Sequence, residues 1–117
     1  MASFEITGGR KLHGEIVPQG AKNEALQVLC AVLLTQEKVR IEHVPDIRDV
    51  NKLIDLLKLL GVSVREDHSA ACESGRTFEF EADRVNLDVL HSLDYREQAG
   101  TLRGSIMLVG PLLARFG

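Results

Sequence analysis

Residues 46–67 read DIRDVNKLIDLLKLLGVSVRED, and two periods meet in them. Ile47, Val50, Leu53, Ile54, Leu57 and Leu60 recur at three- and four-residue spacing, which lays one apolar stripe along a helix. Asp46 is placed to cap that helix, Asp49 adds a first-turn carboxylate near its positive end, and Gly61 stops it. Beyond the glycine the period falls to two, Val62 and Val64 alternating with polar neighbours as in a half-buried strand. A striped helix that runs straight into a strand needs a second layer to cover it. The stretch therefore predicts an α/β (α+β) domain.

Working outward, the polar run DHSAACESG reads as a loop, and Phe78, Phe80 and Ala82 alternate as its return strand, giving a hairpin. Upstream, Val39, Ile41 and His43 alternate until Pro45 ends that strand. Residues 21–36 are apolar on nearly every side, which predicts a helix buried all round. Phe4 and Ile6, then Leu12, Gly14 and Ile16, suggest two short strands about a Gly8-Gly9 turn. The order is βαβαββ, with helices packed against one face of a mixed sheet. Residues 83–100 are charged and show no clear period. In the last segment Leu102, Ile106, Val109, Leu113 and Phe116 share a helical face, which Gly110-Pro111 should kink or divide. Left uncovered, that face predicts self-association.

A chain of 117 residues can close one core. Its apolar share of 44% and charged share of 26% are those of an ordinary globular protein. A formal charge of −3, no Trp, one Tyr and four Phe offer neither a basic field nor stacking rings, so nucleic acid is excluded as a partner. No secretory signal opens the chain, and the apolar run from Ala25 to Leu34 is about half a bilayer span, so no membrane partner and a cytoplasmic location are expected. Cys30 reads as a small core residue and Cys72 as an exposed thiol in a polar loop. Neither belongs to a disulfide framework. His13, His43, His68 and His91 lack ligand spacing, so neither metal nor other cofactor is expected.

Three residues carry candidate chemistry. Lys22 and Asn23 follow Gly20 at the mouth of the first helix, where unpaired N–H groups and the helix dipole already favour an anion. Arg103 lies beside Gly104, whose missing side chain admits a close neighbour. By residue type alone, a solvated lysine with Asn23 as a cap or first-turn residue, and a surface arginine, remain open readings. Arg115 is placed to neutralise a helix C-terminus.

LHGEIVPQGAKNEALQVLCAVLL, VPDIRDVNKLIDLLKLLGVSV and LRGSIMLVGPLLARFG together resemble the N-terminal part of the enolpyruvyl transferase family, in particular the UDP-N-acetylglucosamine 1-carboxyvinyltransferases of peptidoglycan precursor synthesis. The resemblance covers nearly the whole chain and is weakest over residues 67–100. Its most specific elements are Gly-Ala-Lys-Asn, Val-Pro-x-x-x-Asp-Val, and Arg-x-Ser with Gly-Pro-Leu-x-Ala-Arg-Phe-Gly. The sister family acting on shikimate 3-phosphate typically has Ser-Lys-Ser where this chain has Ala21-Lys22-Asn23. Gln27, where the family often has Pro, and Met107, where a larger aromatic can occur, are departures.

The resemblance implies a βαβαββ unit of the inverse α/β barrel type, with phosphoenolpyruvate and UDP-N-acetylglucosamine as substrates. It implies that Lys22 and Asn23 contact phosphoenolpyruvate and that Arg103 and Asn23 contact the UDP-sugar. It also implies that the catalytic acid, a Cys or Asp, lies after Gly117, so no catalytic residue falls within the chain and the fragment alone is expected to be inactive. On the same basis residues 1–20 would form strands of the companion domain or its hinge, and residues 21–117 a partial transferase domain truncated before the catalytic loop. A free-standing, non-enzymatic ligand- or protein-binding module is the competing expectation. A fragment of a shikimate 3-phosphate enzyme is a further one.

Overall fold

The computed structural model describes residues 2–69 and 74–117, so the expected exposure of Cys72 lies outside the described residues. The elements are α1 (Lys22–Ala31), β1 (Lys38–Val44), α2 (Arg48–Leu59), β2 (Ser63–Glu66), β3 (Arg76–Glu81), α3 (Leu93–Gly100) and α4 (Val109–Phe116). Short 3₁₀ segments occupy Val32–Leu34, Leu87–His91 and Arg103–Leu108.

The stripe on α2 is buried as its spacing requires, with Val50, Leu53, Ile54, Leu57 and Leu60 in the core and Leu56 beside them. Gly61 ends the helix at φ 93°, a conformation an L side chain rarely adopts. Its N–H bonds the Lys58 carbonyl and that of Val62 bonds Leu57, the paired closure of a Schellman motif. The start of α2 corrects the sequence reading. Ile47 is the residue before the helix and no side chain caps it. Asp46 is turned away, its Oδ1 accepting from Asn51 Nδ2 at 2.9 Å and lying 3.3 Å from the Arg76 guanidinium. An arginine arriving from β3 offers that carboxylate more than a neutral N–H does.

The hairpin forms as expected, β2 and β3 pairing antiparallel. The sheet order is β1-β3-β2. Adjoining strands are antiparallel throughout, because β3 separates β1 from β2, the two strands that run in the same sense. Val39, Phe80 and Val64 share one row and face the helices. Arg40, Glu79 and Arg65 form the next row, facing solvent, where Arg65 pairs with Glu79. β1 carries a bulge between Ile41 and Val44, with His43 at φ 57°.

Two further expectations change. α1 is not apolar all round: Leu26, Leu29 and Cys30 are buried with Leu33 beyond them, whereas Gln27 and Val28 face out. Its buried positions follow one stripe. No strand forms over residues 2–20, where Phe4, Ile6, Leu12 and Ile16 are almost fully exposed. An alternating apolar row becomes a strand only against a facing layer, and a two-stranded ribbon alone is marginal in water. The segment is fixed where it meets the core. Gln19 Oε1 accepts from the Asp46 N–H at 3.1 Å, and Gly20 lies against the His43 carbonyl.

At the C-terminal end the helix divides before Pro111, which sits in the first turn of α4 where its missing N–H is not needed. The expected face is turned outward. Leu102 and Leu108 are buried and Leu112 is partly so, while Ile106, Val109, Leu113 and Phe116 are exposed. The reason is a change of period: 3.0 residues per turn through Arg103–Leu108 and 3.6 through α4 break the continuous stripe assumed from sequence.

Candidate functional site

The mouths of two helices and one 3₁₀ segment enclose a cleft of about 350 Å³. α1 contributes Lys22 and Asn23 at its first turn, with Leu26 and Gln27 one turn further on. α2 contributes Asp49, and the Arg103–Leu108 segment contributes Arg103, Gly104, Ile106 and Met107. The three residues singled out from sequence, Lys22, Asn23 and Arg103, thus line one cavity. Its size falls within the range of small-molecule sites.

The closeness of α1 to the 3₁₀ segment depends on Gly104. A Cβ built there would stand 3.1 Å from Leu26 Cδ1, so the space left by the missing side chain is taken by Leu26. The segment is held by Ser105, whose Oγ donates to the Ala99 carbonyl at 2.9 Å. Arg115 acts away from the cleft. Its guanidinium donates to the Leu33 and Thr35 carbonyls at 2.9 and 3.2 Å, neutralising the end of the α1 segment rather than that of its own helix.

No side chain caps α1, so its first N–H groups remain available at the cleft mouth. Lys22 Nζ lies 2.9 Å from Asp49 Oδ2, with the two side chains 44% and 40% exposed. Asp49 is held below the usual carboxylate range, first by the hydrogen bond from Lys22, then by its charge, with Lys52 and Arg48 adding to the effect. Among the described residues the side chains of Arg103, Asn23 and Gln27 have no hydrogen-bond or ion-pair partner. The lining therefore carries two cations against one carboxylate, a surplus positive charge beside an uncapped helix end. Such an arrangement favours an anion over a cation.

Sequence reasoning placed Asp49 only as a first-turn carboxylate, and Gln27 only as a departure from a pattern. Their signals were present: Gln27 is four residues from Asn23, hence on the same face of α1, and Asp49 opens the other helix. Cys30 is no candidate nucleophile, since burial pushes its thiol up to about 12. Among the described residues no cluster of three His, Cys, Asp or Glu could hold a metal ion, and no helix is long and apolar enough to cross a membrane.

The sequence family described as EPSP synthase (3-phosphoshikimate 1-carboxyvinyltransferase) matches residues 6–117. The chain belongs to the EPSP synthase family. Within that family it is 51% identical over all 117 residues to a UDP-N-acetylglucosamine 1-carboxyvinyltransferase of Bacteroides thetaiotaomicron, of which it covers 26%. Enzymes of the same name from Porphyromonas gingivalis and Bacteroides fragilis are 51% and 50% identical with the same coverage. The chain thus spans about a quarter of the length of these curated relatives. Among solved structures, the enolpyruvyl transferase NikO from Streptomyces tendae superposes with a TM-score of 0.66 at 24% identity, over 94% of this chain and 23% of that one. This structural likeness speaks for the fold alone.

Proposed function

We propose that the chain is the N-terminal part of an enzyme that transfers enolpyruvyl from phosphoenolpyruvate to the 3-hydroxyl of UDP-N-acetylglucosamine and releases phosphate. The observation that carries this reading is the shared cleft of Lys22, Asn23 and Arg103. It is supported by the names of relatives that are half identical over the whole chain, and by Ala21-Lys22-Asn23, which departs from the Ser-Lys-Ser of the shikimate enzymes.

In that reaction the sugar hydroxyl adds to C2 of phosphoenolpyruvate while C3 gains a proton, and the tetrahedral adduct then expels phosphate. Lys22 holds the phosphorylated acid against the helix mouth, Asn23 orients both substrates, and Arg103 holds the diphosphate of the acceptor. These cations accelerate the step only so far as they bind charge developing at C2 and on the leaving phosphate better than they bind the resting substrates. Asp49 fixes where the ammonium stands. The acid that protonates C3 comes from beyond Gly117. Residues 1–20 belong to the companion domain or its hinge, and residues 21–117 to the partial domain that carries the cleft. The reaction is cytoplasmic and supplies cell-wall synthesis.

The test is phosphate release by the full-length protein, which should require phosphoenolpyruvate and UDP-N-acetylglucosamine together. Lys22→Ala should lower kcat/KM by about a hundredfold or more. Unchanged activity in that variant removes Lys22 from the mechanism, and release with shikimate 3-phosphate in place of the nucleotide sugar overturns the choice of acceptor.

A further inference from the structure

The cleft face of α1 carries two carboxamides. Asn23 and Gln27 are four residues apart and therefore stack on one side of the helix, about 6 Å along its axis. Asn23 stands at the mouth beside the Lys22–Asp49 pair. Gln27 is one turn deeper, where the wall also includes Leu26, Ile106 and Met107. It is exposed, and among the described residues no protein group takes up either its N–H₂ or its carbonyl oxygen.

An amide that faces water has lost nothing. Once a ligand displaces that water, the amide is either paired or left unsatisfied at a cost, and a site built this way rejects ligands that lack the matching groups. The glutamine side chain offers a donor and an acceptor together, so it is satisfied by a ligand presenting both. Ionised phosphoenolpyruvate presents acceptors only. UDP-N-acetylglucosamine carries hydroxyls, an acetamide N–H and carbonyl, and a uracil N–H beside carbonyls. Only the acceptor substrate answers both halves of Gln27.

Resting on the function proposed above, we infer that Gln27 is an added contact to the acceptor, one that relatives with Pro at this position lack, its carboxamide pairing with a group of the nucleotide sugar that both donates and accepts. It reads the acceptor one helical turn from the anion site and does not touch phosphoenolpyruvate.

The test uses the full-length protein, with phosphate release followed while each substrate is varied in turn. Gln27→Met keeps the side chain's length without its hydrogen bonds, and Gln27→Glu keeps the acceptor but removes the donor. Because Gln27 is exposed, both variants should match the wild-type melting temperature. Each should raise KM for UDP-N-acetylglucosamine about tenfold, with KM for phosphoenolpyruvate and kcat within about threefold of wild type. An unmoved acceptor KM in Gln27→Met, or an equal rise in both KM values, overturns the assignment while leaving the proposed reaction standing. A wild-type protein that releases no phosphate from this pair of substrates overturns both.

Discussion

Lys22 Nζ lies 2.9 Å from Asp49 Oδ2, and this contact joins the first turn of α1 to the first turn of α2. The position of the cleft's lysine is therefore set by the other helix. Lys22→Ala should raise the Asp49 pKa toward the usual carboxylate value, since the Lys22 hydrogen bond is the largest cause of its depression. The sign follows from linkage. A carboxylate depressed in the folded state contributes stability above its ordinary pKa of about 4, and that contribution is lost as the pH falls through the folded value. Lys22→Ala should lack this acid-side loss. A carboxyl-carbon NMR titration reads it directly, and an Asp49 that titrates alike in both proteins contradicts the pairing.

Gly20 and Gly104 are both tight, but against different neighbours. A Cβ at Gly20 would lie 2.3 Å from the His43 carbonyl oxygen, whereas at Gly104 the nearest atom is the end of the Leu26 side chain, 3.1 Å away. Backbone cannot move aside as a leucine methyl can. Gly20→Ala should therefore cost about 1–3 kcal/mol in denaturant unfolding, and Gly104→Ala clearly less. The reverse order would show that the bulge at His43 yields more readily than the α1 packing.

Burial sets the chemistry of Cys30 as it sets that of its neighbours. With its thiol pushed up to about 12, it should resist alkylation in the native protein at about pH 8 and react only on unfolding. The same shift carries a sign. A thiol whose folded pKa is raised contributes stability below its ordinary pKa, and this is lost as the pH climbs toward the folded value. Peptide mapping after iodoacetamide treatment reads the first point. Labelling of Cys30 at the rate of a free thiol would place it at the surface.

How far these features could be read from sequence depends on whether they are local. The stripe of α2, its Gly61 stop and the β2–β3 hairpin follow from spacing and turn chemistry alone, and all three are present. Asp46 misled because its partners, Asn51 and Arg76, are brought to it by tertiary structure, which a cap rule does not see. The strands expected before Gly20 lacked a layer to pair with. Lys22, Asn23 and Arg103 were legible as charged or amide groups at helix starts. That Asp49 and Gln27 join them could be known only once two helix mouths had been set side by side.

Arg115 crosses from α4 to the end of the α1 segment and stacks its guanidinium 4.9 Å from the centre of its neighbour's ring, Phe116. Two carbonyls lose a charged donor in Arg115→Ala, which should destabilise the protein by about 1.5–3 kcal/mol. Lysine keeps the charge but not the fork, so Arg115→Lys should recover part of that loss. Denaturant midpoints for the two variants test the order, and equal midpoints for alanine and wild type would leave the contact without energetic weight.

The outward face of the last two segments has the physics of an interface. Ile106 is 68% exposed and Leu113 60%, with Val109 and Phe116 also uncovered, and these large apolar groups belong to consecutive elements. Water in contact with so many exposed apolar side chains is displaced favourably by any complementary face, including a second copy of the same chain. The isolated 117-residue chain should therefore sediment with a weight-average mass that rises with concentration, and it should enhance the fluorescence of an apolar dye. Leu113→Glu places a charge on the face at a mostly exposed position, so it should shift the chain toward monomer and change its melting temperature little. A wild-type chain that stays monomeric across the concentration range, with no dye enhancement, would overturn the reading of this face as an interface.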